Sequence, residues 1–192
     1  RGFDPAAYME RTEARKTDLF TQYALAAAIQ AMEDSKYAAT DPGRFGVYVG
    51  SGIGGMLTFM AEHRKFLEQG PRRVSPHFIP MMIANMAAGA VAIRFGAMGP
   101  CLPVVTACAT ASHAIGEAFR AIRYGHADAI LAGGTEAALN PLTLAGFTNC
   151  MALSTKNEPL ASSIPFDKRR DGFVLGEGAG MLLLEEYGSA QA

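Results

Sequence analysis

Three cysteines, four histidines and a formal net charge of −1 are all that these 192 residues offer for redox, metal or polyelectrolyte chemistry. No two cysteines have C-x-x-C spacing and no histidine cluster accompanies them, which argues against a metal site. An odd cysteine count without secreted-scaffold spacing leads us to expect a reducing, cytoplasmic compartment. The near-neutral balance gives no general attraction to nucleic acid or to an anionic membrane surface. Long apolar runs are missing too. Ala179-Gly180-Met181-Leu182-Leu183-Leu184 is too short to span a bilayer, and no signal-peptide pattern opens the chain. The chain starts at Arg1 with neither an initiator methionine nor an opening strand, so a piece of something larger is expected.

What is present suffices for one domain. Hydrophobic residues make up 49% and glycines number 21, enough for a sizeable core with many tight turns. Thr17 or Asp18 can cap a long Ala-rich helix to about Ser35, with Phe20, Tyr23, Ala24, Ala27, Ala31 and Met32 on one side. Asp41-Pro42-Gly43 reads as a turn and 45–49 as a strand. A glycine loop, Gly50-Ser51-Gly52-Ile53-Gly54-Gly55, then opens a helix that ends at Gly70-Pro71. An irregular stretch over 71–80 precedes a small-residue helix over 83–95, closed by Gly96. A strand over 129–132 follows later, and Asn140-Pro141 makes a cap and first-turn pair for another helix. The polar segment 154–172 is expected to be one long loop before a last buried strand over 178–185. Strands alternating with helices predict a layered α/β domain with a largely parallel mixed sheet.

Cys108 stands at the most informative joint. The run 102–106 is short and β-branched, and is expected to form a buried strand. Beyond the cysteine, Ala111, Ile115, Ala118 and Ile122 recur on one face of a helix that stops at Gly125. A thiol at such an elbow meets the free N–H groups and positive end of the helix, which favours thiolate. The position suits a nucleophile, and it also suits a buried thiol acting as a small hydrophobe. Cys101 and Cys150 have no base nearby in sequence and read as structural.

The glycine loop carries a rival motif. Gly50, Gly52 and Gly55 satisfy G-x-G-x-x-G between a strand and a helix, so a dinucleotide-binding oxidoreductase domain is an alternative. That fingerprint needs an acidic residue about 20 positions on, at a strand end. Here Glu68-Gln69-Gly70-Pro71 is a helix end, so the fingerprint is incomplete. The glycines then read as a tight turn that lets another segment or a ligand pass close to the backbone. A purely structural or interaction module is a third reading.

Taken together, Gly50-Ser51-Gly52-Ile53-Gly54-Gly55, Gly70-Pro71-Arg72-Arg73-Val74-Ser75-Pro76, Val105-Thr106-Ala107-Cys108-Ala109-Thr110, Ala132-Gly133-Gly134-Thr135-Glu136-Ala137 and the long segment from Pro165-Phe166-Asp167 to Gly178-Ala179-Gly180 resemble the β-ketoacyl-acyl-carrier-protein synthases, most closely those of synthase II type. The resemblance implies a thiolase-like fold of two similar α/β halves, with this chain as the N-terminal half, incomplete at its start and without the C-terminal half. It implies no cofactor. By it, Cys108 accepts an acyl group from acyl carrier protein and condenses it with a malonyl thioester after decarboxylation. The Cys108 N–H would be one oxyanion-hole donor, typically worth ~3 kcal/mol of barrier. Related alternatives within the fold are a thiolase or a polyketide-type ketosynthase.

The resemblance also implies binding residues. Ile53 and Phe147 match acyl-pocket positions, and Phe78 and Ile79 match positions that cross a homodimer interface into the partner's pocket. Ordinary core packing is the alternative for each of these four. Arg15, Lys16, Arg72 and Arg73 match basic positions that meet the acidic carrier, although basic surface pairs are usually just solvated. The family's two catalytic histidines and lysine have no counterpart here. His63 and His126 are expected on the surface, and His113 is expected to pack beside Cys108 on its helix. The 192 residues alone are therefore expected not to catalyse condensation.

Overall fold

A computed structural model describes residues 2–191. Four strands make one sheet: β1 (Phe45–Gly50), β2 (Cys101–Leu102), β3 (Ala129–Glu136) and β4 (Gly178–Glu185), in the order β2-β1-β3-β4. β1 runs parallel to β2 and β3, whereas β4 is antiparallel to β3 from Ala129↔Glu185 to Glu136↔Gly178. The helices are α1 (Arg11–Ala14), α2 (Leu19–Ser35), α3 (Met56–Gln69), α4 (Phe78–Met82), α5 (Met86–Phe95), α6 (Thr110–Arg123), α7 (Pro141–Asn149) and α8 (Tyr187–Ala190).

The sheet has a core on each face because its central strands alternate. Phe45, Val47, Val49, Ala129 and Leu131 pack with Phe20, Leu25 and Ala28 of α2 and Ala87, Ala88 and Val91 of α5. Tyr48, Ile130 and Ala132 point the other way, onto Ala114, Ala118 and Ala121 of α6. With both faces covered, β1 is buried throughout, and its sequence reads as a continuous apolar run.

Two strand expectations are corrected. The run 102–106 is not a buried strand: only Cys101–Leu102 pair, both exposed. Pro103 has no N–H for the ladder, and β2 lies at the sheet edge. β4 is the opposite edge, and none of its residues is buried. Met181 and Leu183 touch one core and Leu184 the other, while Leu182 is exposed. The face of α6 is also turned from the expected one. Ala114, Ala118 and Ala121 are buried, Ile115 and Ile122 are partly buried, and Ala111 is exposed.

Local signals fix the other elements. Asn140 caps α7 by accepting from the Leu142 and Thr143 amides, each at 3.0 Å. Within the stretch 71–80, Pro71–Arg73 form a 3-10 turn and α4 begins, so it is more regular than expected. Its anchor is buried Glu62 on α3, which accepts from the Ser75 amide at 2.7 Å and from Lys65 at 2.5 Å. Those bonds, Lys65 foremost, hold the Glu62 carboxyl below its ordinary pKa. Asp18 serves two helices at once. One carboxylate oxygen caps α2 at the Phe20 amide (3.4 Å), and the other accepts from the Thr58 amide in the first turn of α3 (2.8 Å).

Candidate active site

Cys108 is the middle residue of a 3-10 turn, Ala107–Ala109, that runs directly into α6, and its side chain is exposed. The turn is tight enough to force Ala107 to φ 52°, a left-handed conformation that strains a residue with a Cβ. Thr110 holds it there. Its buried hydroxyl accepts from the Thr106 amide at 2.9 Å and donates to the Ala107 carbonyl at 2.7 Å. The sulfur is thus displayed from a strained, doubly bonded elbow.

The elbow opens on a cavity of about 500 Å³ whose lining is mostly apolar: Ile53 from the glycine loop, Ala107, Cys108 and Ala111 from the elbow, and Phe147, Phe173 and Leu175 opposite. Phe147 on α7 and Phe173 meet edge to face, with ring centroids 5.2 Å apart. Phe173 reaches that place because the base of the 154–172 loop is pinned. Ser154 N donates to Phe173 O (2.9 Å) and Phe173 N to Ala152 O (3.0 Å). A Cβ at Gly172 would lie 2.4 Å from the Leu153 carbonyl carbon, so this neck needs glycine. Inside the loop, Asp171 accepts from Ser154 Oγ at 2.7 Å, and the Arg169 guanidinium on Asp167 brings that carboxyl down to about 2.

Ile53 and Phe147 are therefore brought together with Cys108. Phe78 and Ile79 are not. They lie on α4, where Phe78 packs on Phe59 (centroids 6.3 Å apart) and Ile79 is exposed. Arg15, Lys16, Arg72 and Arg73 are exposed, and Arg73 donates to Gln69 at 3.2 Å. Cys101 and Cys150 are exposed as well and do not line the cavity. Desolvation at its sulfur raises the Cys101 thiol above its ordinary pKa, although much of the residue is exposed.

The G-x-G-x-x-G loop cannot serve a dinucleotide in this arrangement. The Glu136 carboxylate accepts from Gly52 N at 2.8 Å and from Ser51 Oγ at 3.0 Å, placing a negative charge where a pyrophosphate would sit. Close approach explains the glycines instead. A Cβ on Gly50 would lie 2.0 Å from Val104 O, and one on Gly55 would lie 2.2 Å from Met81 O.

Comparison with known proteins shows the family. The sequence model described as "Beta-ketoacyl synthase, N-terminal domain" matches residues 1–190. The chain belongs to the β-ketoacyl synthase N-terminal domain family. It is 52% identical over 195 residues to 3-oxoacyl-[acyl-carrier-protein] synthase 2 of Vibrio cholerae, covering all of this chain and 47% of the relative. It is 48% identical over 194 residues to the enzyme of the same name from Staphylococcus aureus, again covering 47% of it. A β-ketoacyl synthase from Burkholderia phymatum superposes with a TM-score of 0.87 at 34% identity, over 99% of this chain and 47% of that one. A type II polyketide ketosynthase, solved with its acyl-carrier protein and a bound hexaketide, gives 0.82 at 26% identity, over 100% and 53%. The chain spans about half the length of the curated relatives it matches, and its fold is the thiolase-like fold of these synthases.

In this β-ketoacyl synthase domain the histidines stay out of the cavity. His113 does not pack as expected. It is exposed, with Nδ1 2.7 Å from Thr106 Oγ1, in a separate hollow lined also by Glu117 and Arg120. His63 and His126 are exposed, as expected. Sequence reasoning missed Phe173 as a cavity residue and Glu136 as the partner of the glycine loop. Both lie in motifs that carried the family resemblance, but only their partners, 26 and 83 to 85 positions away, reveal what they do.

Proposed function

We propose that the chain is the nucleophile-bearing half of a 3-oxoacyl-acyl-carrier-protein synthase of fatty-acid synthesis, an acyltransferase acting in the cytoplasm. The observation that carries this reading is Cys108 on a strained elbow at an apolar cavity with Ile53 and Phe147 in its wall. The Cys108 thiolate attacks the carbonyl of an acyl-carrier thioester, the carrier thiolate leaves, and the acyl chain rests in the cavity as a Cys108 thioester. The Cys108 N–H, in the middle of the turn, donates to the oxyanion. A malonyl thioester then loses CO₂, its enolate carbon attacks the Cys108 thioester, and the thiolate departs from the β-ketoacyl product.

Among the described residues the cavity lining offers one carboxylate, Glu136, and no histidine, lysine or arginine. The groups that stabilise the enolate come, in this reading, from a C-terminal half, and Phe78 and Ile79 reach across a homodimer interface into the partner's pocket. The fatty-acid enzymes at 52% and 48% identity support this reading over a polyketide ketosynthase, for which the structural relative is 26% identical.

Ile53→Phe is expected to exclude long acyl chains while sparing short ones, because the larger ring overpacks the cavity wall beside Cys108. Parallel acylation assays with short and long acyl-carrier substrates check this, and equal loss for both would remove Ile53 from the wall. For the carrier, we assign docking to Arg15, Lys16, Arg72 and Arg73. Reversing Arg72 and Arg73 to Glu should weaken carrier binding at least tenfold at low salt, and less at high salt. Unchanged affinity at low salt would leave these side chains as solvated surface.

A further inference from the structure

The backbone amides of the glycine loop converge on a side chain of the same protein. Gly52 N donates to Glu136 Oε2 at 2.8 Å, and Ser51 Oγ and Ile53 N donate to Oε1 at 3.0 and 3.4 Å. Ser51 is itself buried and accepts from Gly54 N at 2.9 Å. One carboxylate at the end of β3 thereby holds the three residues that follow β1, and Ser51 ties in a fourth, Gly54. Glu136 and Ile53 also share the wall of the cavity that contains Cys108.

We propose that Glu136 is a positioning residue that sets acyl-chain selectivity by holding Ile53 in that wall. This rests on the reading of Cys108 as the acyl acceptor. Ile53 is 42% exposed, so burial alone does not fix its place and its backbone must help to do so. A wall rejects a longer chain only while it cannot step aside, since overpacking is penalised only against a rigid surface. Bonds to an ionised acceptor are roughly twice as strong as neutral ones, so the carboxylate is suited to that task. Glutamine at 136 keeps the volume but turns an NH₂ group toward donors that need an acceptor. The loop then loosens without a cavity being created, and Ile53 yields to longer chains.

The test compares acylation rates of Cys108 by a short and a long saturated acyl-carrier thioester. Glu136→Gln should raise the long-to-short ratio about fivefold, the change that one hydrogen bond's net contribution would give. Ile53→Ala should raise it as well, and the double variant should match Ile53→Ala alone, because no side chain remains to be positioned. Should Glu136→Gln fail to fold, Ser51→Ala loosens the same loop and should shift the ratio in the same direction. An unchanged ratio in a folded variant, or an effect that adds to Ile53→Ala, would overturn the proposal. A wild-type protein whose Cys108 accepts no acyl group at all would overturn the underlying reading instead.

Discussion

Cys108→Ala should abolish acyl-thioester formation, with the loss in intact-mass assays exceeding about a thousandfold, as expected when a covalent nucleophile is removed. No other thiol can take over. Cys101 lies on the edge strand β2 and Cys150 follows the end of α7, and neither lines the cavity. The Cys101 thiol is further disfavoured because desolvation raises its pKa and so lowers its thiolate fraction. The variant should fold normally, since the replaced side chain is exposed and removing its sulfur leaves no buried hole. An acyl adduct on Cys108→Ala protein, at either remaining cysteine, would show that the elbow is not the acceptor.

Gly50→Ala should damage both stability and chemistry. The added Cβ would lie 2.0 Å from Val104 O and 2.3 Å from Thr110 Cγ2, and neither neighbour can easily retreat. Val104 is backbone in the segment that leads to the elbow, and Thr110 is the residue that clamps it. We expect a loss of about 3 kcal/mol in urea unfolding, at the upper end of overpacking penalties. Acylation of the remaining folded protein should slow by at least an order of magnitude, since displacing a reacting atom by about 1 Å can slow a reaction about a hundredfold. Gly176→Ala is the control, because a Cβ there meets nothing within 4 Å. Equal behaviour of the two variants would mean that the Gly50 contact is not tight in solution.

The parts of this fold that were legible in the sequence are those determined locally. Asp18 before an Ala-rich run, Asn140-Pro141, and glycines closing α3 and α5 each place their helix end through a bond or backbone angle made within a few residues. β1 and the start of β3 were equally readable as strands, because short apolar runs buried on both faces stand out between the turns that bound them. Burial of the edge strands was not. The apolar sequence of β4 resembles that of β1, and only its place beyond β3 leaves it partly open. The same limit hid the second oxygen of Asp18 on Thr58, 40 positions away, and the grip of Glu136 on the glycine loop. For Glu136 the rival motif itself misled, since a loop with free amides and a loop whose amides bind an internal carboxylate share the same glycines.

The most direct test of Cys108 as the acyl-accepting thiol is the order in which the three cysteines react with limiting iodoacetamide, read by peptide mass mapping with and without prior exposure to an acyl-carrier thioester. All three are exposed, so access alone does not set the order. We predict that Cys108 is alkylated first in the untreated protein, and that prior acylation protects Cys108 while leaving Cys101 and Cys150 unchanged. Alkylation of Cys101 or Cys150 ahead of Cys108, or equal labelling of Cys108 with and without the acyl donor, would contradict it.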